Sequence, residues 1–261
     1  MSQQVEIINF DPVNITQHGF FCFKSKKKAE GYQRKLAWLR ARFAEGMQMK
    51  MVVEDGRSVG FIEYIPGEYG WRAVHAPGYM LIHCLWVVGT GKGKGYGARL
   101  IDLCLEDARQ QGLAGVAMVS SSRVWLADKE IFLRQGFTAV DAAPPSFDLL
   151  VHKFNGAPNP AFPTDWAARQ AQWGDGLTIF RTDQCPYIED AARQVVTAAQ
   201  ERGITARSVE LTSSQAVQAQ SPTAYGVFGI VYNGRLLAYH YLLPKDLDKL
   251  LGQASETAPD A

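Results

Sequence analysis

A nine-residue loop between a predicted strand and a predicted helix has the composition of an anion-binding site. The segment 89–97 contains five glycines and two lysines, follows the apolar run 79–88 and precedes a stretch with helical spacing, 98–111. Glycine lets a ligand approach the backbone, and the free N–H groups and dipole at a helix N-terminus favour negative charge. This order predicts a phosphate site, to which Lys92 and Lys94 add positive charge.

Two common phosphate-binding motifs do not fit this loop. A Walker A motif requires Ser or Thr after its lysine to ligate magnesium, but Lys92 and Lys94 are each followed by glycine. A dinucleotide-binding fingerprint can be placed on residues 93–98, but the next predicted strand ends at Ser120, where that fold needs an acidic residue for the ribose. The phosphate-bearing ligand expected here therefore needs neither a magnesium ion ligated by Ser or Thr nor an acidic residue that binds a ribose.

The run from Lys92 to Gly97, Lys-Gly-Lys-Gly-Tyr-Gly, resembles the Arg/Gln-x-x-Gly-x-Gly/Ala motif of the GNAT acetyltransferase superfamily. Lys92 stands at the Arg/Gln position, Gly95 and Gly97 stand at the two small positions, and the order of predicted elements over 1–154 is also similar. The resemblance implies that the loop binds the pyrophosphate of acetyl-CoA and that the preceding strand binds its pantetheine arm. The implied cofactor-binding residues are Trp86, Val87, Val88, Lys92, Gly93, Lys94, Gly95, Tyr96, Gly97 and Ala98.

The same resemblance implies direct attack of a deprotonated amine on the thioester, with the oxyanion stabilised by backbone N–H groups. Such a reaction needs a group that removes the amine proton. His83 is the titratable residue on the strand before the loop, and histidine has a suitable unperturbed pKa. Glu63, Glu68 and His75 are further candidates, and a buried, hydrogen-bonded structural histidine is the competing interpretation of His83.

The sequence departs from the family at the expected general acid. Family members often carry a tyrosine four residues before the glycine that ends the last helix of this region, and counting back from Gly136 gives Phe132. Phenylalanine cannot donate a proton. Water or another residue must then protonate the leaving thiolate, or transfer is slow or absent.

A second candidate reactive group lies in the C-terminal part. Cys185-Pro-Tyr-Ile188 follows a predicted strand, opens a helix and resembles the Cys-Pro-Tyr-Cys site of glutaredoxins, with Ile188 in place of the second cysteine. Pro222 resembles the cis-proline that faces this cysteine in thioredoxin-like folds. A helix N-terminus acidifies a thiol, so Cys185 is a candidate for monothiol exchange or ligand contact, with an inert cysteine as the competing interpretation. A GNAT half joined to a thioredoxin-like half resembles the YoaP-like family of bacterial acetyltransferases.

Composition points to a cytoplasmic globular protein. Apolar residues make up 47% and charged residues 20% of the chain, and the formal net charge of +1 predicts no nucleic-acid partner. The N-terminus lacks signal-peptide features, and the longest apolar run is about half the roughly 20 residues of a membrane span, so no membrane partner is expected. The four cysteines are scattered without metal-ligand spacing, which predicts neither a disulfide framework nor a metal site.

Hydrophobic spacing predicts the elements around the loop. A helical face recurs over 26–45 and again over 125–135, and Asp55-Gly56 between two β-rich runs predicts a hairpin. Three prolines within 156–163 disfavour both helix and sheet. Strand and helix patterns then continue to residue 251.

The fold class expected is α/β (α+β), in two domains. We expect a GNAT-type acetyl-CoA-binding domain over 1–155, with a mixed twisted sheet flanked by helices, and a linker over 156–176. A small thioredoxin-like α/β domain over 177–251 and a disordered tail over 252–261 complete the prediction.

The predicted function is acetyl-CoA-dependent N-acetylation of a small-molecule or peptide amine in a ternary complex, without a metal. The thioredoxin-like half would contribute acceptor recognition. Two competing functions remain, namely a non-catalytic acyl-CoA sensor and a monothiol redox protein acting through Cys185.

Overall fold

A computed structural model describes residues 4–256, with side chains through residue 252. The first seven strands are β1 (Val5–Asn9), β2 (Gln48–Glu54), β3 (Arg57–Pro66), β4 (Tyr79–Val87), β5 (Gly115–Ser120), β6 (Thr138–Ala143) and β7 (Phe147–Lys153). They form one mixed sheet in the order β1-β2-β3-β4-β5-β7-β6. All neighbours are antiparallel except β4 and β5, which run parallel. The mixed sheet flanked by helices confirms the predicted first half of the fold class.

Four helices accompany this sheet: α1 (Asn14–His18), α2 (Glu30–Phe43), α3 (Tyr96–Gln110) and α4 (Lys129–Arg134). Helix α3 buries an apolar stripe that includes Leu100, Ile101 and Cys104. Helices α2 and α4 are both shorter than the helical patterns that predicted them. Lys24–Lys26 form a 3-10 turn before α2, and α4 begins only after Asp128, which caps its N-terminus. Asp55 and Gly56 both have positive φ and close the predicted hairpin.

Strands β4 and β5 separate partway along their length. Their parallel pairing runs from Tyr79 opposite Gly115 to Ile82 opposite Met118 and stops there. The β3–β4 register shifts at the same point, because Glu63 pairs with Cys84 but the next residue pairs with Ile82. His83 is therefore the extra residue of a β-bulge. Beyond Ile82, the β5-facing edge of β4 has no strand partner among the described residues.

The C-terminal part contains a second, smaller sheet. Its strands are β8 (Leu177–Arg181), β9 (Ala206–Glu210), β10 (Phe228–Tyr232) and β11 (Arg235–Ala238), and its helices are α6 (Ile188–Gln200), α7 (Ser214–Gln220) and α8 (Leu247–Glu256). The strand order is β11-β10-β8-β9, with β8 parallel to β9 and β10 antiparallel to both β8 and β11. Helix α8 continues through residues 252–256 of the predicted tail, and residues 257–261 lie outside the described part.

The segment predicted as a linker, 156–176, packs against the first part of the chain. It contains helix α5 (Trp166–Ala171), which follows the last of its prolines. The backbone of Ala161 forms a β-bridge with that of His75, and the carbonyl of Pro158 accepts a hydrogen bond from the Tyr79 hydroxyl at 2.9 Å. Prolines stop regular structure locally, but they do not prevent a segment from burying its aromatic side chains.

The two parts of the chain contact each other directly. The Arg34 guanidinium on α2 pairs with Asp183 at 2.8 Å and with Glu210. Gly31 on α2 lies so close to the C-terminal part that a Cβ on this residue would be 2.1 Å from the Pro186 carbonyl oxygen. A single hydrophobic cluster includes residues of both parts. Across residues 4–256, none of the helices combines the length and the apolar character that crossing a membrane requires.

One expectation for the C-terminal part is wrong. The Ser221–Pro222 bond is trans, and the cis bond of the described chain joins Pro144 and Pro145. Ser221 is the C-cap of α7. Its hydroxyl donates a hydrogen bond to the Thr223 carbonyl at 2.8 Å, across the trans Ser221–Pro222 bond.

Candidate active site

A cavity of about 390 Å³ lies where the β4 bulge meets the loop before α6. It brings together both predicted catalytic residues, His83 and Cys185, and two predicted cofactor-binding residues, Trp86 and Val88. Val87 alternates to the other face of β4, where it packs against the hydrophobic core. The cavity is therefore continuous with the strand expected to bind the pantetheine arm.

The glycine loop leaves the start of α3 open. Gly93 and Gly95 have φ of 77° and 79°, a left-handed conformation that favours glycine. Gly95 is the N-cap of α3, and in the described chain no side chain caps this N-terminus and no acidic residue lies in the first turn. The first backbone N–H groups of α3, including those of Tyr96 and Ala98, are thus available to an anion.

The carboxylate of Glu54, at the end of β2, fixes the position of this loop through hydrogen bonds. It accepts hydrogen bonds from Lys94 at 2.8 Å and from the Tyr96 hydroxyl, and these two bonds hold the pKa of the Glu54 carboxyl below its usual value. Both lysines are exposed, but the charge of Lys94 is largely balanced by Glu54, whereas Lys92 forms no ion pair with the described residues.

Gly97 has a packing role as well as a place in the loop motif. A Cβ on this residue would lie 2.5 Å from the Ile131 Cδ1 atom of α4. A small residue at position 97 therefore permits close contact between α3 and α4.

His83 is buried and its ring is held by the backbone. Its Nε2 atom accepts a hydrogen bond from the Trp71 N–H at 2.9 Å, so the ring proton resides on Nδ1. Burial, followed by the charges of Arg72 and Lys35, lowers the pKa of His83 well below its ordinary value. Because Nε2 is occupied, the ring cannot take a second proton without losing this bond. The competing interpretation, a hydrogen-bonded buried histidine, matches this geometry.

Glu63 lies beside His83 and is 1% exposed. Its Oε2 atom bonds Lys35 Nζ at 2.7 Å, while its Oε1 atom lies 3.8 Å from His83 Nδ1. Neither Oε1 nor Nδ1 has a hydrogen-bond partner among the described residues, although both are buried. Two residues that line the cavity thus leave one acceptor and one donor for a ligand. Glu68 and His75, by contrast, have exposed side chains.

Three cysteines, Cys22, Cys84 and Cys185, line the cavity. Burial raises the pKa of all three thiols, that of Cys84 to about 12. The expected acidification of Cys185 is therefore wrong. Cys185 precedes the first residue of α6, Ile188, and the cost of burying a thiolate exceeds the stabilisation from the nearby backbone.

Phe132, at the position of the usual tyrosine, is fully buried and packs edge-to-face on Phe137 with ring centroids 5.3 Å apart. Two tyrosines do line the cavity, Tyr187 and Tyr225. Burial raises the pKa of both phenols, so both remain protonated at neutral pH.

Exposed aromatic rings surround the cavity mouth. Trp86, Trp125 and Tyr187 line the cavity and keep 40%, 46% and 36% of their surface exposed. Trp125 stacks on Tyr241 with centroids 5.2 Å apart and meets Tyr187 edge-on at 5.6 Å. Exposed rings at the mouth of a cavity favour an uncharged, partly apolar ligand surface.

Sequence reasoning missed two cations of the cavity, Lys35 and Arg72. Lys35 lies within the amphipathic pattern of α2, where basic residues indicate a solvated face. Arg72 lies in a loop rich in glycine and aromatic residues. The signal for Arg72 was its position in a loop next to the candidate strand.

The site combines a parallel strand pair that opens, a glycine loop suited to an anion and an adjoining cavity. These features together are typical of a fold that binds acyl-CoA ligands. The model of the acetyltransferase (GNAT) family matches residues 14–127. The N-acetyltransferase YoaP of Bacillus subtilis (strain 168) is 32% identical over 242 residues, which cover 91% of this chain and 95% of that protein. The chain belongs to the GNAT family of N-acetyltransferases.

Comparison with solved structures finds matches to part of the chain. The PaiA N-acetyltransferase of Thermoplasma acidophilum in complex with coenzyme A is 13% identical with a TM-score of 0.42, over 58% of this chain and 99% of that chain. The YhbS N-acetyltransferase of Escherichia coli in complex with CoA is 15% identical with a TM-score of 0.42, over 62% of this chain and 92% of that chain.

Proposed function

We propose that this N-acetyltransferase binds acetyl-CoA along the open edge of β4 and acetylates the amine of a small molecule or peptide in the adjoining cavity. The supporting observation is the continuity of the site, since Trp86 and Val88 border the same cavity as Glu63 and His83. Acceptor and thioester would then meet next to buried polar groups that can accept and donate protons.

The residues around the glycine loop fit the pyrophosphate of acetyl-CoA. The uncapped start of α3 offers backbone donors, Gly93 and Gly95 adopt the conformation that exposes them, and Lys92 adds an exposed positive charge. When bound, acetyl-CoA supplies an activated acetyl thioester. The role of Lys94 is to hold the loop through Glu54.

Glu63 accepts the proton of the attacking amine in this proposal. Its Oε1 atom is buried without a partner in the described chain, and Lys35 holds the other oxygen at 2.7 Å. His83 keeps its proton on Nδ1, 3.8 Å from Glu63 Oε1, and so presents a hydrogen-bond donor beside the carboxylate. Tyr187 and Tyr225, which also line the cavity, provide phenol protons.

The C-terminal part serves acceptor recognition as a thioredoxin-like domain. Its support is the order β11-β10-β8-β9, with a parallel pair joined by a helix and an antiparallel hairpin. This part contributes Gln184, Cys185 and Tyr225 to the cavity wall. The raised pKa of the Cys185 thiol disfavours redox exchange, because the thiolate is the reactive form.

A ligand-dependent melting experiment with two glycine variants tests the proposal. Gly95→Asp introduces a strained residue and a negative charge at the start of α3. Gly112→Asp makes the same change just beyond the other end of α3, where φ is 68° and, as at Gly95, no described atom lies within 4 Å of a Cβ. We expect acetyl-CoA to raise the melting temperature of the wild type and of Gly112→Asp, but not that of Gly95→Asp.

Release of free CoA with an amine panel then measures transfer. Wild type and Gly112→Asp should release CoA, and Gly95→Asp should not. An acetyl-CoA shift that survives in Gly95→Asp would contradict the assignment of the loop. Tight binding without turnover across the panel would instead favour the sensor.

A further inference from the structure

Arg72 is a buried cation in the cavity without an anionic partner. It is 2% exposed, and within residues 4–256 its guanidinium forms no ion pair with a carboxylate. The neighbouring cations are balanced, since Lys35 pairs with Glu63 at 2.7 Å and Arg42 with Glu45 at 2.8 Å. Burial lowers the pKa of Arg72, but an arginine side chain keeps its proton in proteins. The cavity therefore carries an uncompensated positive charge, which is costly unless a ligand offsets it.

The hydrogen bonds of Arg72 leave two donors unused. Its Nη1 donates to the Gln184 side chain at 2.6 Å and to the Trp71 carbonyl at 3.1 Å, and its Nη2 donates to the His83 carbonyl. A guanidinium has five N–H groups, so these bonds leave the Nε proton and one Nη2 proton. Nε is buried without a partner in the described chain. Nε and Nη2 share one edge of the guanidinium, the edge that binds a carboxylate with two parallel hydrogen bonds.

Glu63, the proposed acceptor of the amine proton, and Arg72 both lie next to His83. Arg72 donates to the backbone carbonyl of His83, and Glu63 Oε1 lies 3.8 Å from the ring Nδ1 of the same histidine. Both groups therefore lie within the span of one histidine residue, so a single small ligand that carries an amine and an anion can reach both. An amino acid is such a ligand.

The remaining walls select the body of such a ligand. They consist largely of apolar rings and sulfur groups, such as Phe20, Phe61, Met49, Cys22, Cys84 and Cys185, and their further polar groups, the Tyr187 and Tyr225 phenols and the Gln184 amide, are uncharged. A second charged group on the ligand would have no partner against these walls. An apolar or sulfur-containing side chain fits them.

We propose that the acetyl acceptor is a small amino acid with an apolar or sulfur-containing side chain, whose carboxylate binds Arg72 and whose amine faces Glu63. This inference rests on the proposed acetyl transfer. It also explains why the C-terminal part adjoins the site, because Gln184 orients the Arg72 guanidinium across the boundary between the two parts.

Matched acceptors test the carboxylate. CoA release is measured with L-methionine, L-methioninamide and 3-(methylthio)propylamine, and with L-phenylalanine, its amide and phenethylamine. We expect kcat/KM for each acid to exceed that of its amide and amine at least about tenfold, mainly through KM. Titration calorimetry of the same compounds in the presence of CoA should show the same preference without requiring turnover.

Three variants assign the preference to Arg72. Arg72→Gln should remove it, and Arg72→Lys should retain part of it. Gln184→Glu keeps the arginine but places a carboxylate beside it, so it should also weaken binding of the acids. Gln218→Glu is the matched control, because Gln218 also crosses between the two parts, donating to the Gly70 carbonyl at 2.9 Å, but does not touch Arg72.

Equal use and equal binding of acids, amides and amines by the wild type would overturn the proposal while leaving acetyl transfer intact. An unchanged preference in Gln184→Glu and Arg72→Gln would overturn the role of Arg72. A failure of acetyl transfer itself would appear separately, as the absence of CoA release with every acceptor, whether or not acetyl-CoA raises the melting temperature. In that case acids that fail to bind in calorimetry would overturn this inference as well.

Discussion

Glu63 and His83 show how burial assigns different roles to two neighbouring titratable groups. The backbone N–H of Trp71 occupies the basic nitrogen of His83, and surrounding cations disfavour a second proton. Glu63 keeps one free oxygen beside the cavity while Lys35 balances its charge. The carboxylate, rather than the imidazole, is therefore placed to receive a proton.

Replacing Glu63 with glutamine tests this assignment. Glu63→Gln keeps the shape of the side chain but removes the proton acceptor, so we expect kcat to fall about 10²- to 10⁴-fold. The acetyl-CoA melting shift should persist, because the glycine loop is unchanged. Glu68→Gln changes an exposed glutamate of the neighbouring loop and should leave kcat within about twofold. A Glu63→Gln enzyme with wild-type kcat would show that water removes the proton instead.

The lowered pKa of His83 predicts a pH dependence of stability. The unfolded chain binds a proton at His83 near pH 6.5, but the folded chain does so only at much lower pH. The free energy of unfolding should be fully retained above about pH 6.5 and fall below it, by up to about 1.4 kcal/mol per pH unit. Urea unfolding between pH 7.5 and pH 5 measures this slope.

His83→Gln should flatten that slope, since glutamine can accept the Trp71 hydrogen bond without titrating. His75→Gln, at an exposed histidine, should keep the wild-type slope. Identical slopes in wild type and His83→Gln would show that other groups dominate the acid sensitivity.

At the residue scale, the sequence singled out side chains of the cavity but not the state that they adopt there. His83, Cys185, Trp86 and Val88 all border one cavity. The state of His83 and Cys185 depends on partners distant in sequence and on burial, which no local pattern encodes. Arg72 was missed because an arginine in a loop usually indicates solvent exposure.

At the scale of elements, helix α2 forms one wall of the boundary between the two parts. Its first turn contains Gly31, which faces the backbone of Pro186 in the loop that contains Cys185. Only a residue without a Cβ permits this approach, because the carbonyl oxygen of Pro186 would be 2.1 Å from a Cβ. The helical pattern over 26–45 predicted α2 but gave no reason for a glycine within it.

Gly31→Ala should therefore destabilise the protein, although alanine favours a helix by about 0.5–1 kcal/mol over glycine. The contact with a backbone atom cannot be relieved by rotating a side chain, so we expect a net loss of about 1–3 kcal/mol in urea unfolding. Gly252→Ala is the matched control, since Gly252 lies in α8 with no described atom within 4 Å of a Cβ. It should be neutral or slightly stabilising. A stable Gly31→Ala protein would mean that α2 and this loop can separate at little cost.

At the scale of the whole molecule, the proline-rich boundary divides the sequence but not the packing. The prolines of 156–163 lie between β7, which ends at Lys153, and β8, which begins at Leu177. The contacts that join the parts pair residues far apart in the chain, such as Arg34 with Asp183 and Glu210. Single-sequence patterns describe neighbours along the chain, so they could not predict a cavity built from both parts.

Because one hydrophobic cluster includes both parts, we expect them to unfold together. Calorimetry should show a single transition, with equal calorimetric and van't Hoff enthalpies. Arg34→Ala should lower its midpoint by about 2–4 °C without splitting it, since the substitution removes two ion pairs across the boundary at a cost of about 1 kcal/mol, while Arg181 still pairs with both Asp183 and Glu210. Lys129→Ala, which removes an exposed ion pair with Asp148 within the first part, should change the midpoint far less. Two resolved transitions in the wild type would instead show that the parts fold independently, and the acceptor cavity between them would then depend on docking rather than on folding.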